Sequence, residues 1–281
     1  MGPRTVNAAI AALFCHPIKG FTPQSVASAR LTANAAFPGD RLFALEDGPC
    51  GFDPALPSFI PKLRFAVLAK VAEVAKARTA YDPNSGELRA SAPGAADFSG
   101  SMAGEPGRQA FAAWVARLLG DAVAGPLRLI DGAGHRFLDH PHGHVSVLNL
   151  ASIRDLAARL GRPVDPLRFR ANVHVEGWPA WAENDWTGRE LRLGDAEARV
   201  FKPITRCAAP DVDPATAMRD IAVTAELHRL YGHLLCGVYV QIAQGGMVRQ
   251  GDAARIDASR ARREEAYSSR PPDPRPPGRA R

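Results

Sequence analysis

The chain has 281 residues, 46% of them hydrophobic and 23% charged, with a formal net charge of +6. That is the composition of a globular protein long enough for one large core or two small ones. No apolar run approaches the roughly 20 residues of a membrane helix, and four cysteines without a C-x-x-C pair exclude a ferredoxin, a zinc finger and a disulfide scaffold.

The first apolar run, Ala8 to Phe14, reads as a strand. It has no basic segment before it and no small-residue cleavage site after it, which argues against a signal peptide and for the cytoplasm. A turn follows at His16 to Phe21, then strands at Ser25 to Leu31 and, after Pro38-Gly39-Asp40, at Arg41 to Leu45. Prolines 49, 54, 57 and 61 mark a long irregular loop. Arg64 to Lys70 reads as a strand, and Thr79 to Asp82 with Glu87 to Ala90 as a hairpin around Pro83-Asn84-Ser85-Gly86. Ser91 to Gly107, rich in Gly, Ala, Ser and Pro, reads as a linker. It divides a first domain, 6–100, from a second, 101–253.

Past the linker, Phe111, Trp114, Val115 and Leu118 recur at helical spacing before Gly120. Leu127 to Ile130 and Val145 to Leu148 read as strands, and Asn149 caps a helix that Gly161 ends. Further strands are expected at Phe169 to Val175, Glu190 to Leu193, Ala198 to Lys202 and Cys236 to Ile242, with a hairpin at Gly245-Gly246 leading to Met247 to Arg249. Strands dominate and helices are few, so the fold class is α+β, β-rich: a small β domain, then a partly closed β-barrel with peripheral helices. Residues 254–281 carry eight arginines against four acids, so +4 of the net charge sits there. This Arg/Pro-rich tail has little to bury and is expected to be disordered. It has no aromatic stacking platform, so nucleic acid is not an expected partner.

The chemistry points to Phe201–Pro214, FKPITRCAAPDVDP. There a strand feeds a proline-marked turn that presents Arg206 and Cys207. A cation beside a thiol favours the thiolate, which serves as a nucleophile or a soft metal ligand. An isolated cysteine is by default inert packing. Lys19 and Arg41 are by default surface charges at turns, Arg170 and Asn172 a solvated face of one strand, and Tyr239 core packing. His140, His142 and His144 alternate and raise the possibility of a zinc site, although Pro141 and Gly143 interrupt a regular strand.

Several segments together resemble the MOSC domain, named after the C-terminal domain of molybdenum cofactor sulfurases. They are RFRANVHVEG (168–177), ENDWTG (183–188), LRLGD (191–195), TRCAAPDVDP (205–214), CGVYV (236–240) and GMVRQGD (246–252). Upstream, CHPIKG (15–20) and GDRLFAL (39–45) are similar to the β-barrel domain that precedes MOSC in the amidoxime-reducing branch, and FLDHPHGHVSVLNLASIRDL (137–156) to that family's F-x-D segment. The resemblance implies an N-terminal β-barrel-like domain packed on a MOSC-type β-barrel. It also implies a molybdenum-pterin cofactor (Mo-molybdopterin), bound rather than pyridoxal phosphate, and reduction of small N-hydroxylated substrates. On this resemblance Cys207 is the metal ligand and, with Asp139, catalytic. Lys19, Arg41, Ser146, Arg170, Asn172, Arg206 and Tyr239 contact the cofactor. Relatives often have Ser where Gly20 stands. Some bacterial relatives append a ferredoxin domain. The chain has no such cysteine set, so electrons are expected from a separate ferredoxin- or flavin-type protein. Two rivals stay open: a sulfur carrier with a Cys207 persulfide, and a zinc hydrolase built on the His140 loop.

Overall fold

The computed structural model describes residues 6–140 and 145–256. In chain order the strands begin with β1 (Val6–Cys15), β2 (Gln24–Val26), β3 (Ser28–Leu31) and β4 (Phe43–Asp47). Next come β5 (Arg78–Asp82), β6 (Glu87–Ser91), β7 (Phe98–Ser101), helix α1 (Glu105–Leu119) and β8 (Leu127–Asp131). The second half runs β9 (Val145–Asn149), α2 (Leu150–Leu160), β10 (Val173–Glu176), β11 (Glu190–Leu193), β12 (Ala196–Thr205) and α3 (Val223–Tyr231). It finishes with β13 (Leu235–Gln244), β14 (Gly246–Arg249) and β15 (Ala253–Ile256).

Seven strands close a barrel in the order β10-β9-β13-β12-β11-β15-β1, with β1 pairing back onto β10, and β2 extends the sheet beyond β1. Alternation fills it: Val145 and Val147, Val173 and Val175, Leu191 and Leu193, and Val238, Val240 and Ile242 all turn one face inward. A second core lies over β4–β8 and β5–β6–β7, where Phe111, Trp114 and Val115 of α1 meet Ile18, Phe21, Phe43 and Leu88. Trp114 donates its indole N–H to the Ala96 carbonyl at 2.7 Å, so its polar end is satisfied where its ring is buried. The packing interleaves the segments that composition separated at residue 100. β1 is a stave of the second barrel, while α1 and β8 complete the first core.

Several expectations are corrected. The small-residue stretch 91–107 is not a linker, because β7 pairs with β6 there and α1 begins at Glu105. Gly107 lies so close to the Ser101 carbonyl that any Cβ would overlap it, which explains one of its glycines. Residues 64–70 form no strand. Phe65, Ala66, Val67 and Leu68 are buried in succession rather than alternately, and the Val67 carbonyl accepts from the N–H groups of both Lys70 and Val71 in a turn. Ser25–Leu31 breaks at Ala27 into β2 and β3. Gly245-Gly246 makes no hairpin with β13. A Cβ on Gly246 would lie 2.5 Å from the Asp195 carbonyl carbon, and this close crossing delivers β14 to β3. Ala254 to Ile256, placed in the tail by composition, form part of β15 and bridge β1 to β11. The rest of the tail, 257–281, lies outside the described residues.

The helix ends follow their expected chemistry. Asn149 accepts from the Ala151 N–H at 3.1 Å, and Gly161 leaves α2 in the left-handed region at φ 67°. Where the two cores meet, the buried Asp40 carboxylate accepts from the His16 backbone N–H at 2.7 Å and pairs with the Arg41 guanidinium. The His16 ring nitrogen Nδ1 lies 3.1 Å from the same carboxylate, and Nε2 is buried without a partner among the described residues.

Two predictions follow from this packing. Ile256 is 1% exposed and faces the barrel interior. Ile256→Ala should cost about 2–5 kcal/mol in urea unfolding, which a solvated tail residue would not. The second concerns pH. Burial, then the charge of Arg41, pushes His16 down to about 3 from 6.5. Asp40 moves down to about 2 from 3.8: burial opposes the shift, and Arg41 and His16 outweigh it. In both cases the unfolded chain binds the proton first. His16 therefore contributes full stability above 6.5 and loses it down to about 3, and Asp40 loses its share between 3.8 and about 2. Urea melts from pH 6 to pH 4 should show His16→Gln removing about 1.4 kcal/mol per pH unit of slope. Some slope should survive in the variant, because burial also pushes His174 down to about 4.

Candidate functional site

Lys19 sits in the turn after β1, its N–H bonded to the Phe43 carbonyl at 2.8 Å. The next residue, Gly20, has φ 89°, and a Cβ there would stand 3.0 Å from the Val67 Cα, so the turn selects glycine. Lys19 is 3% exposed and spends its three donors on the Phe137 carbonyl at 2.8 Å, the Leu138 carbonyl at 3.2 Å and Asp139 Oδ1 at 2.6 Å. Burial pushes its pKa down. The Asp139 side chain is 44% exposed; desolvation of its carboxyl pulls the other way, but the charges of Lys19 and Arg41 hold it far below the ordinary range. Asp139 is therefore a fixed carboxylate rather than an acid.

Arg170 and Asn172 do not share a strand face, as their spacing suggests. Arg170 lies in the left-handed region at φ 52°, where the 3-10 turn Pro166–Phe169 ends, and β10 begins only at Val173. Arg170 donates Nη1 to the Phe21 carbonyl at 2.5 Å, while its buried Nη2 has no partner among the described residues. Asn172 and Ser146 form a reciprocal knot: the Ser146 N–H and hydroxyl donate to Asn172 Oδ1 at 3.0 and 2.8 Å. In return the Asn172 N–H donates to the Ser146 hydroxyl at 3.0 Å, and Nδ2 donates to the Phe14 carbonyl at 3.1 Å. These two side chains fix the backbone between β9 and β10.

Arg206 follows β12, and its guanidinium turns inward. Nε donates to the Cys236 carbonyl and Nη1 to the Phe169 carbonyl, both at 2.8 Å, with the group 5.3 Å from the Phe169 ring centroid. Nη2 is buried without a partner among the described residues. Gly237, at φ 74°, makes room, since a Cβ there would stand 3.2 Å from Nη2 and 2.6 Å from the Val147 carbonyl oxygen. Adjacency in sequence suggested a guanidinium serving the thiol; instead its hydrogen bonds among the described residues go to backbone carbonyls.

Of the four free thiols, Cys207 alone is not buried. Burial pushes Cys15 up to about 11 and Cys236 up to about 12. Tyr239, on β13 opposite Ser146, is pushed up to about 12 by burial and then by Asp139, and stays protonated. Three adjoining hollows share Arg41 and Asp139 and between them touch all nine expected residues. The largest encloses about 170 Å³ and is lined by Cys207, Arg170, Arg206, Tyr239, Ser146 and neighbouring side chains. Another hollow, about 470 Å³, lies on the β5–β6–β7 sheet with neither a thiol nor a histidine in its lining.

The fold adds residues that the motifs did not single out as site residues. Lys62 and Lys202 line the Cys207 cavity, and Arg168 lines it while pairing with Asp213 and Asp220 at 2.7 Å each. Asp40 and Arg168 stood inside quoted motifs and were legible there. Lys62, in a proline loop, gave no signal. His140 lies on the cavity wall, its ring 6.3 Å from that of Tyr239. His142 and His144 lie outside the described residues, and among the described residues no cluster of three His, Cys, Asp or Glu could hold a metal. No helix among the described residues is long and apolar enough to cross a membrane.

Comparison with known proteins agrees with this layout. The model of the MOSC N-terminal beta barrel domain matches residues 7–125, and that of the MOSC domain matches residues 134–255. The chain is 34% identical over 118 residues to mitochondrial amidoxime-reducing component 1 of Mus musculus, covering 38% of this chain and 34% of that protein. The human protein of the same name is 31% identical over 118 residues, with the same coverage. Molybdenum cofactor sulfurase of Caenorhabditis briggsae is 30% identical over 117 residues, covering 39% of this chain and 16% of that one. The match thus spans about a third of the length of the amidoxime-reducing relatives. Among solved structures, the YUAD protein from Bacillus subtilis aligns over 91% of this chain and 98% of its own, at 13% identity and a TM-score of 0.45. With both domain models matched in order along the chain, the protein belongs to the MOSC family, of the kind that carries the N-terminal beta barrel domain.

Proposed function

We propose that this protein is a molybdenum-cofactor-dependent oxidoreductase that reduces N-hydroxylated compounds. The observation that carries this reading is a half-open thiol, Cys207, on a cavity lined with arginine and lysine. The names of the amidoxime-reducing relatives support it.

The residues present fit such a cofactor. A pterin with a phosphate needs cations and forked donors. The buried Nη2 groups of Arg170 and Arg206 are donors lacking an acceptor among the described residues, and both side chains line the cavity. An unmet buried donor costs about 1–3 kcal/mol, which a bound oxyanion or carbonyl oxygen would recover. Cys207 would offer the thiolate that a soft metal takes. Arg41 would add positive charge to the cavity wall, held in place by Asp40.

When bound, the molybdenum–pterin group supplies a two-electron couple. The balance is N–OH plus two electrons and two protons, giving N–H and water as the N–O bond breaks. The electrons come from a separate donor protein. Asp139, held ionised, anchors Lys19 and balances Arg41 rather than giving a proton. Tyr239 keeps its proton at neutral pH and lines the cavity beside His140, so its O–H would be a donor to a ligand oxygen there.

Protein made in a host that assembles the cofactor should contain about one molybdenum per chain by elemental analysis. With a chemical reductant, Cys207→Ala should lose at least about 100-fold in benzamidoxime reduction, since no other side chain replaces the ligand. Full activity in that variant would defeat the reading. So would metal-free protein carrying one stable extra sulfur on Cys207, the mark of a persulfide carrier.

A further inference from the structure

We infer that the site takes N-hydroxylated compounds bearing a second, anionic group, and that Lys62 and Lys202 hold that anion beside Cys207. This rests on the reductase reading and names its substrate class. Six cationic side chains line the cavity (Arg41, Lys62, Arg168, Arg170, Lys202 and Arg206) against one carboxylate, Asp139. Arg41 is matched by Asp40, and Arg168 by Asp213 and Asp220. Asp139 is taken by Lys19. Arg170 and Arg206, which line the cavity and each keep a buried Nη2 donor without an acceptor among the described residues, are assigned to the cofactor. That leaves two ammonium groups, on Lys62 and Lys202, without a hydrogen-bonded or paired anion among the described residues.

Neither the Lys62 nor the Lys202 ammonium makes a hydrogen bond or ion pair among the described residues; Lys202 lies 6.0 Å from the Phe201 ring centroid. They come from the two cores. Lys62 opens the 3-10 turn Lys62–Arg64 in the first, and Lys202 sits in β12 of the barrel. Both line the hollow that contains Cys207, so they reach it from different parts of the chain. Like charges gathered on a concave, partly desolvated wall repel, and a ligand anion relieves that repulsion. Tyr239 and His140 line the same hollow, their rings 6.3 Å apart, and offer aromatic surface for a flat body. A substrate with its N–OH end toward Cys207 and a carboxylate at its other end satisfies both features.

The test compares benzamidoxime with 4-carboxybenzamidoxime on the cofactor-loaded protein, by calorimetric binding and by turnover. The carboxylate should bind at least about tenfold tighter, a gap of about 1.4 kcal/mol. The preference should fall to about threefold or less in Lys62→Gln and in Lys202→Gln, and survive in Lys62→Arg. Equal binding of the two compounds by the unaltered protein, or a preference kept in both Gln variants, overturns the inference. Turnover separates it from the reductase reading. Reduction of both compounds with no binding preference removes the anion site and leaves the reductase. A lysine-dependent binding preference with neither compound reduced leaves the anion site and removes the reductase.

Discussion

The buried carboxylate of Asp40 is the interaction on which the site depends. It pairs with Arg41, accepts from the His16 backbone N–H, and is further stabilised by Asn172. These partners come from the end of β1, the turn before β4 and the approach to β10, so one carboxylate ties three distant segments. A charge taken out of water is expensive, and removing one partner of a buried pair typically costs about 3–5 kcal/mol. The arrangement persists because each lone pair is answered. Through Asn172 the tie continues to Ser146 and β9, and through the Arg41 Nη2 it reaches the Arg170 carbonyl at 3.5 Å.

With those donors committed, the chemistry left over is sharply limited. Lys19 has no spare N–H, Ser146 and Asn172 bond each other, and Asp139 is pinned. Among the described residues, the groups left uncommitted around the cavity include Cys207, the Tyr239 hydroxyl, two buried guanidinium nitrogens and two lysine ammonium groups. The expected site residues thus divide by physical role. One set spends its hydrogen bonds on building the cavity, and the other keeps them for what enters it. Motif matching cannot draw that division, because it depends on where each donor ends.

The barrel strands were legible because one buried face leaves a two-residue period, as in Val238, Val240 and Ile242. Asn149 and Gly161 were legible because capping needs those side-chain and backbone properties. Residues 91–107 misled because small residues serve close packing as well as flexibility: Gly107 lies against the Ser101 carbonyl and is not loose. Residues 64–70 misled because an apolar run buried on all sides has no period to read. At the site, nine residues from six separated stretches line adjoining hollows, which family motifs indicated and no local pattern could. The direction of Arg206 was not legible at all. It depends on carbonyls of Phe169 and Cys236, 37 and 30 residues away.

The V-D-P that follows Cys207 now has a physical reading. Asp213 accepts the backbone N–H groups of Ala215 and Thr216 at 2.7 and 2.9 Å, which closes its own turn. Its other oxygen holds Arg168 Nη2, whose neighbouring Nη1 reaches back to the carbonyls of Pro210 and Asp211 at 3.3 and 3.2 Å. Arg219 grips the Ala208 carbonyl at 2.9 Å and, with its other nitrogen, the Leu68 carbonyl of the first core at 2.7 Å. Arg78 of β5 holds the carbonyls of Pro214 and Ala215 at 2.6 and 3.0 Å. A loop rich in proline offers many carbonyls and few N–H groups, so arginine forks are the natural partners for it. Three of them, two anchored in or to the first core, stop the loop from drifting. The thiol at its start is therefore placed by both halves of the molecule, though Cys207 itself belongs to the second.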